Sequence, residues 1–263
     1  MWYFLQTTHG RGKTIDEWIV KIAQQARALG VRPGETLLVH SSLKSLGIPG
    51  LAPFDVIRGL QAAAGETGTL LFPTLSYEFC NAEHPYFNVK TTPACTGAIA
   101  EASRSFPGAV RSLHPTHSCT AIGPLARELT ARHAEDATPG GPHSPFALLP
   151  GIDGSVLFLG CGCRCNTSMH AVEELFCPPY LFAGEVSYTV TDAAGNEHTV
   201  VSRRHNFLGV AQRYDRVADR MPEGCMRGKI LNANCVLLRA APMWETAEEM
   251  LSRDPFALVE KEG

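Results

Sequence analysis

The sequence predicts an α/β fold, in which one domain has a central mixed, partly parallel sheet flanked by helices and a smaller C-terminal α+β lobe. Two observations predict it. In the first half of the chain, short apolar strands alternate with helices, and such repeats favour parallel pairing. The last third instead has hairpin-like strands before a closing helix, without a low-complexity tract or a clear linker. We therefore expect residues 1–263 to form a single domain.

The elements of the first half follow from capping and apolar periodicity. Thr14 and Glu17 match a capping box, and apolar residues then recur with a period near 3.6 until Gly30 ends the helix. Segment 75–96 lacks this periodicity, so we expect a long functional or mobile loop there. The predicted strands cover residues 36–39 and 68–74, and the helices that follow cover 54–64, 97–106 and 124–133.

The central stretch, residues 161–174, reads CGCRCNTSMHAVEE and lies between a predicted buried strand (155–159) and a predicted helix (169–176). Asn166, Thr167 and Ser168 are all suitable N-cap residues. His170 then lies in the first turn, where the helix N-terminus disfavours an imidazolium and leaves a proton acceptor. Glu173 and Glu174 follow on the same helix face, so His170 with either one predicts a general-base pair. The alternative is a capped surface helix whose side chains face water.

Before this stretch, segment 136–150 is rich in Pro and Gly and is predicted to be a loop. After it the pattern changes to strands joined by turns, beginning with a predicted hairpin whose turn lies at 194–196. The hairpin strands are 186–190 and 198–201, and they precede a predicted helix at 207–221, strands at 229–231 and 236–238, and a closing helix at 242–251.

Two loops carry donors suited to an anionic group. The loop at 40–47 follows a predicted strand, is rich in serine and has one lysine, but it is not a phosphate loop of the G-x-x-x-x-G-K type. Near residue 111, arginine, serine and histidine side chains form a second donor-rich segment. The alternative for the first segment is a plain connecting loop, and the alternative for the second is a turn held by its own side chains.

Composition narrows the functional classes. The hydrophobic fraction is 44%, the charged fraction 19% and the formal net charge −3, so nothing indicates attraction to nucleic acid or an anionic membrane. Residues 1–5 are apolar but too few for a signal peptide, and we expect a cytoplasmic protein. Nine cysteines, an odd number, favour reduced thiols. The C-x-C-x-C spacing of Cys161, Cys163 and Cys165 is not a familiar zinc knuckle, so no metal is expected.

Several motifs in a fixed order resemble the aminoglycoside 3-N-acetyltransferase family, also called the antibiotic N-acetyltransferases. Single motifs of this kind are weak, whereas seven in register with matching spacing are a specific signal. They are LGVRPG at 29–34, LVHSSL at 38–43, GTL with FPT at 68–74, TTP at 91–93, PG with RSLHP at 107–115, SP at 144–145 and NTSMH at 166–170.

The resemblance implies an α/β enzyme that transfers acetyl from acetyl-CoA directly to an amine, without a metal or an acyl-enzyme. It implies His170 as the base and Glu173 (or Glu174) as the residue that orients it. The implied partner is a small-molecule amine, with a homodimer as a further expectation. The implied coenzyme residues are His40, Ser41, Ser42, Leu43, Lys44, Ser45, Leu46, Thr74, Arg111, Ser112 and His114, and the substrate residues are Asn166, Thr167 and Glu174.

Two departures from the family concern the acceptor. Family members commonly have Tyr-Asp-Ser before the Asn-Thr-Ser segment, whereas this chain has Arg164 between two cysteines, and Asn88 replaces an acidic residue. We therefore expect poor use of highly cationic aminoglycosides and better use of a less charged amino sugar or of a substrate that also carries an acid. Two alternatives are the same fold with a different acyl donor or acceptor, and a zinc-binding or redox module built on the cysteines.

Overall fold

A seven-stranded mixed sheet forms the centre of the fold in the computed structural model, which describes residues 14–221 and 223–262. The helices are α1 (Ile15–Leu29), α2 (Pro53–Ala64), α3 (Ala98–Ser103), α4 (Ala126–Thr130), α5 (Pro145–Leu148), α6 (Ser168–Phe176), α7 (Asp215–Arg220) and α8 (Ala240–Arg253). The strands are β1 (Thr36–Ser41), β2 (Thr69–Pro73), β3 (Tyr86–Asn88), β4 (Val110–Arg111), β5 (Cys119–Ile122), β6 (Ser155–Leu159), β7 (Phe182–Thr191), β8 (Glu197–His205), β9 (Val210–Gln212), β10 (Cys225–Ile230), β11 (Ala233–Arg239) and β12 (Val259–Lys261).

The strand order of the central sheet is β10-β11-β6-β1-β2-β5-β4. Strand β1 pairs in parallel with β2 and β6. Strand β11 runs antiparallel to β6, and β5 runs antiparallel to β2. The predicted α/β class with a mixed, partly parallel sheet is therefore confirmed. A second sheet of three strands (β3, β7 and β8) and a small pair (β9 and β12) lie outside the central sheet.

The core lies on both faces of the central sheet. Leu37 packs with Ile22 of α1 and Ile57 of α2, whereas Leu38, the next residue of β1, packs with Met169 of α6 and α8 residues. Successive side chains of a strand point to opposite faces, so a strand covered on both sides needs a continuous apolar run. This explains why β1, β2 and β6 were recognisable in the sequence.

The strands of the C-terminal third are divided between the central sheet and the two smaller sheets. Strands β10 and β11 join the central sheet, and β11 lies between β10 and β6 with Leu237 and Leu238 fully buried. The predicted helix over 207–221 is wrong. Positive φ angles at Phe207 and Gly209 interrupt a helical path, β9 follows, and only α7 is helical.

Other predictions from the sequence are confirmed or refined. The capping box of Thr14 and Glu17 begins α1, and Gly30 ends it. Segment 75–96 contains β3, and β5 was not predicted. Residues 1–5, which we judged too few for a signal peptide, lie outside the described residues. Among the described residues, the helices are too short or too polar to cross a bilayer.

Candidate active site

His170 lies at the wall of a cavity of about 470 Å³, beside the N-terminal end of α6. The carboxamide oxygen of Asn166 accepts hydrogen bonds from the backbone N–H and the hydroxyl of Ser168, the first residue of α6. His170 is the third residue of this helix and so lies in its first turn, as the sequence predicted. Its ring is almost buried, with 7% of the residue exposed.

The hydroxyl of Tyr214 bridges His170 and Glu173. It donates to Oε2 of Glu173 at 2.8 Å and lies 3.0 Å from Nδ1 of His170, whereas the direct distance from Nδ1 to Oε2 is 3.5 Å. Because the hydroxyl proton is directed to Glu173, Nδ1 must carry the proton of the shorter bond to His170. Nε2 of His170 is then the proton acceptor of the ring.

Glu173 is fully buried and is held by two tyrosines. Its Oε1 accepts from the hydroxyl of Tyr180 at 2.8 Å, in addition to the bond from Tyr214 to Oε2. Burial, and then the Glu173 carboxylate, hold the pKa of Tyr214 well above its ordinary value, so this hydroxyl keeps its proton. Neither tyrosine was apparent from the sequence, because no recognisable spacing links either one to His170.

Glu174 supports a different histidine. Its carboxylate accepts from Nε2 of His205 at 2.8 Å and from the backbone N–H of Gly140 at 2.7 Å. Of the two carboxylates that the sequence left open, Glu173 is therefore the one beside His170. Burial raises the pKa of Glu174, and burial also holds the pKa of His205 well below its ordinary value, so that ring is neutral.

The cavity is lined by aromatic, imidazole, cysteine and arginine side chains. Among the described residues that line it, there is no Asp or Glu. Arg164 lines the cavity, as we expected for the acceptor site. Asn88 does not line it, and its side-chain oxygen accepts hydrogen bonds from the backbone N–H groups of Lys90 and Thr91. The residues that line it include His117, Arg164, Cys165, Thr167, Arg204 and His205.

A surface groove of about 780 Å³ lies beside the cavity. Ser41, Ser42, Leu43, Lys44, Gly97 and Ala98 are among the residues that line it. Thr96 lines the cavity and its neighbour Gly97 lines the groove.

The remaining residues of the 40–46 loop hold the groove wall in place. Ser45 donates to the carbonyl of Gly160 at 2.8 Å, and Leu46 is fully buried. His40 stacks on Phe158 and accepts a hydrogen bond of 3.4 Å from the backbone N–H of Thr167. These three residues thus stabilise the loop, and the four between them face the groove.

The family is decided by sequence comparison. A sequence profile described as aminoglycoside 3-N-acetyltransferase matches residues 38–252. The chain belongs to this family. Aminoglycoside N(3)-acetyltransferase IV of Salmonella sp is 35% identical over 252 residues, covering 91% of this chain and 90% of the relative. The chain spans 59% of the length of the VII and VIII enzymes of Streptomyces paromomycinus and Streptomyces fradiae, each 35% identical.

Solved structures of aminoglycoside acetyltransferases share the fold. A mutant of AAC(3)-IVa in complex with a gentamicin gives a TM-score of 0.78 at 27% identity, covering 96% of this chain and 93% of that one. AAC-IIIb, described as binary with CoASH, gives a TM-score of 0.78 at 24% identity over 89% of this chain and 96% of that one. The second likeness shows the fold alone.

Arg111, which the family resemblance places in the coenzyme site, is buried in this member of the family. Its guanidinium donates to the carbonyls of Thr74 and Thr92 and to the hydroxyl of Ser118. Burial, followed by the charge of Arg104, lowers the pKa of Arg111 to about 9. Its donors are thus used by the protein interior, and the structure does not bring this side chain to the groove.

Ser112, His114 and Thr74 share this interior position. Ser112 lies 2.8 Å from Nδ1 of His133, and Nδ1 of His114 accepts from the backbone N–H groups of residues 116 and 117. Thr74 is fully buried, and its hydroxyl bonds the carbonyl of Ser118. Donor residues in a loop look alike in a sequence, whether they face solvent or neighbouring carbonyls.

Of two neighbouring residues predicted to bind substrate, one lines the cavity and the other is buried. Thr167 lines the cavity, whereas Asn166 is 1% exposed and accepts a hydrogen bond from the hydroxyl of Ser168. The cysteines predicted to be reduced are free thiols. Cys161 and Cys165 lie with their sulfur atoms 3.5 Å apart, and Cys163 packs into the apolar core with Met243. The three thiols of the C-x-C-x-C segment therefore do not converge on one point.

Proposed function

We propose that the chain is an acetyl-CoA-dependent N-acetyltransferase that acts on an amine of an amino sugar or a related small molecule, with His170 as general base. One observation carries the proposal: Nδ1 of His170 is committed to Tyr214 and Glu173, while the ring borders a cavity that adjoins a groove. Family membership supports acetyl transfer. The gentamicin complex of a structure that is 27% identical supports the acceptor class.

The chemistry follows from this arrangement. An amine attacks a thioester only with a free lone pair, so Nε2 of His170 accepts its proton. Glu173, through Tyr214, stabilises the positive charge that develops on the ring. The carbon–nitrogen bond forms and the carbon–sulfur bond breaks, and the departing coenzyme thiolate takes the proton from His170. The hydroxyl of Thr167, which lines the cavity, is the donor we assign to the tetrahedral oxyanion.

We place the coenzyme in the groove formed by Ser41–Lys44 and Gly97–Ala98. Serine hydroxyls, backbone N–H groups and one lysine charge suit the phosphates, and the thioester end reaches the cavity near Thr96. The end of the coenzyme that reacts is thereby brought next to His170.

Filling the groove is expected to weaken coenzyme use without affecting the base. Ala98 is exposed at the start of α3, so Ala98→Trp places a large ring in the groove. Steady-state kinetics should show KM for acetyl-CoA rising about 10-fold or more, with kcat at saturating coenzyme nearly unchanged. Val20→Trp, at an exposed site on α1, is the matched control. An unchanged KM in Ala98→Trp removes the groove from the coenzyme site.

The charge of the cavity sets the class of acceptor. Arg164 lies 3.5 Å from Asp215 and 3.7 Å from Glu260, so neighbouring acids offset its charge. Arg204 also lines the cavity and has no ion-pair partner among the described residues. A polycationic aminoglycoside meets this uncompensated charge, whereas an amino sugar with one amine meets less repulsion.

Reversing the charge at position 204 should change the preference between gentamicin and a sugar with one amine. Arg204→Glu is expected to raise kcat/KM for gentamicin, relative to a sugar with one amine, by about 10-fold, because a repulsive charge becomes attractive. Arg127→Glu makes the same change at an exposed position of α4 away from the cavity and should leave the ratio unchanged. A wild-type kcat/KM for gentamicin of about 10⁴ M⁻¹s⁻¹ or more contradicts this assignment.

A further inference from the structure

Three histidines from different parts of the chain converge in the cavity. His117 precedes β5, His170 lies on α6 and His205 ends β8. One ring nitrogen of each histidine lies within 4.8 Å of a ring nitrogen of each of the other two. Within residues 14–221 and 223–262, this is the one group of three or more His, Cys, Asp or Glu side chains that could hold a metal ion. Their ring centroids are 4.8 to 5.7 Å apart. Sequence analysis did not identify the group, since its members have no ligand spacing.

Each of the three rings has one nitrogen held by an oxygen. Thr116 lies 2.9 Å from Nδ1 of His117, Tyr214 lies 3.0 Å from Nδ1 of His170, and Glu174 accepts from Nε2 of His205. Histidine ligands of metals have this second contact, which fixes the ring and its tautomer and directs the other nitrogen to the ion.

The opposite nitrogens remain for a ligand. Nδ1 of His205 is buried with no hydrogen-bond partner, which is costly for a polar atom. Nε2 of His117 and Nε2 of His170 also have no partner among the residues that the structure describes. All three rings border the cavity, which leaves room for a water molecule or another fourth ligand.

We propose that His117, His170 and His205 form a site for one divalent transition-metal ion of the zinc class, and that the bound ion blocks acetyl transfer. Three imidazole nitrogens and an open position suit Zn²⁺, with nitrogen atoms about 3.4 Å apart around a tetrahedral ion. The side chains need to move together by roughly 1 Å to reach that geometry. The second half of the proposal rests on the proposed function, because the ion occupies the Nε2 lone pair that accepts the proton from the amine.

Titration with Co²⁺ and Zn²⁺, in the absence of coenzyme and amine, tests the site directly. Metal-free protein should bind one ion, and Co²⁺ should show tetrahedral visible absorption without sulfur-to-metal charge transfer. His117→Ala and His205→Ala should each weaken binding by roughly 100-fold, and Glu174→Gln by about 10-fold. His198→Ala, at an exposed histidine of the hairpin, should bind like the wild type.

Zn²⁺ should also inhibit acetyl transfer by the wild type, and a chelator should restore it. The His205→Ala variant should need a higher Zn²⁺ concentration for the same inhibition. No binding by the wild type, binding that neither histidine variant weakens, or a sulfur charge-transfer band from the Cys161–Cys165 pair would each overturn the site. Acetylating protein that binds no metal refutes this inference alone, whereas metal-binding protein that acetylates no amine refutes the proposed function.

Discussion

Replacing His170 with alanine is expected to lower turnover by about 10²-fold or more, while the affinity for coenzyme A stays nearly unchanged. The reason is that His170 provides the proton acceptor at the cavity wall, whereas the coenzyme groove is lined by other residues. Steady-state turnover at saturating substrates and calorimetric titration with coenzyme A measure the two quantities.

His198→Ala is the control for loss of a histidine, since its side chain is half exposed and pairs with Asp192 in the hairpin. Unfolding temperatures of the two variants should match that of the wild type. Near wild-type turnover in His170→Ala places the base elsewhere in the cavity, and the neighbouring imidazoles His117 and His205 are then the residues to replace.

Replacing Tyr214 with phenylalanine should have the second largest effect on turnover. The hydroxyl joins Nδ1 of His170 to the Glu173 carboxylate, and a hydrogen bond to a charged group contributes about 1.5–3 kcal/mol. Each increase of about 1.36 kcal/mol in the activation free energy slows a reaction tenfold, so we expect turnover to fall by about 10- to 100-fold. The KM for acetyl-CoA should change little.

Tyr180→Phe is the matched control, because Tyr180 donates to the other oxygen of Glu173 and makes no hydrogen bond with His170. Both variants remove one hydroxyl from the same buried carboxylate, so both should lose similar stability in thermal unfolding. Only Tyr214→Phe should lose most of its turnover. Equal turnover in the two variants means that Tyr214 holds Glu173 in place and does not act through His170.

Local signals made part of the site predictable. His170 and Glu173 lie three residues apart on one helix, and the start of that helix at Ser168 places the imidazole in the first turn. The groove serines follow β1 directly, at the end of a strand whose apolar run is unmistakable. In both places the sequence neighbours are also the spatial neighbours.

The rest of the site depends on contacts between distant segments. Tyr214 reaches His170 only because the chain after β9 returns to α6, and the sequence placed this region in a longer helix. His117 and His205 likewise meet His170 through the packing of the second sheet. The buried position of Arg111 was not apparent from the sequence for the same reason: the carbonyls that accept its hydrogen bonds come from other segments.

Errors in the fold have a similar origin. Strand β5 is only four residues long and contains Cys and Thr, so it has no marked apolar run. The C-terminal strands were recognised individually, but their pairing with β6 depends on a register that local patterns do not encode. Apolar runs thus identify elements, and the order of strands comes from the packing of the whole chain.

Chemical rescue of His170→Ala by imidazole tests the central claim most directly. The substitution leaves a space beside Tyr214 and Glu173 that free imidazole can occupy, so added imidazole should accept the proton from the amine in place of the missing ring. The measurement is formation of the N-acetylated amino sugar by mass spectrometry, with acetyl-CoA saturating. We predict product formation that rises with imidazole concentration in His170→Ala and is unaffected in the wild type. Product formation by His170→Ala that is as fast as wild type without imidazole, or no product from the wild-type protein with any amino sugar, contradicts the account.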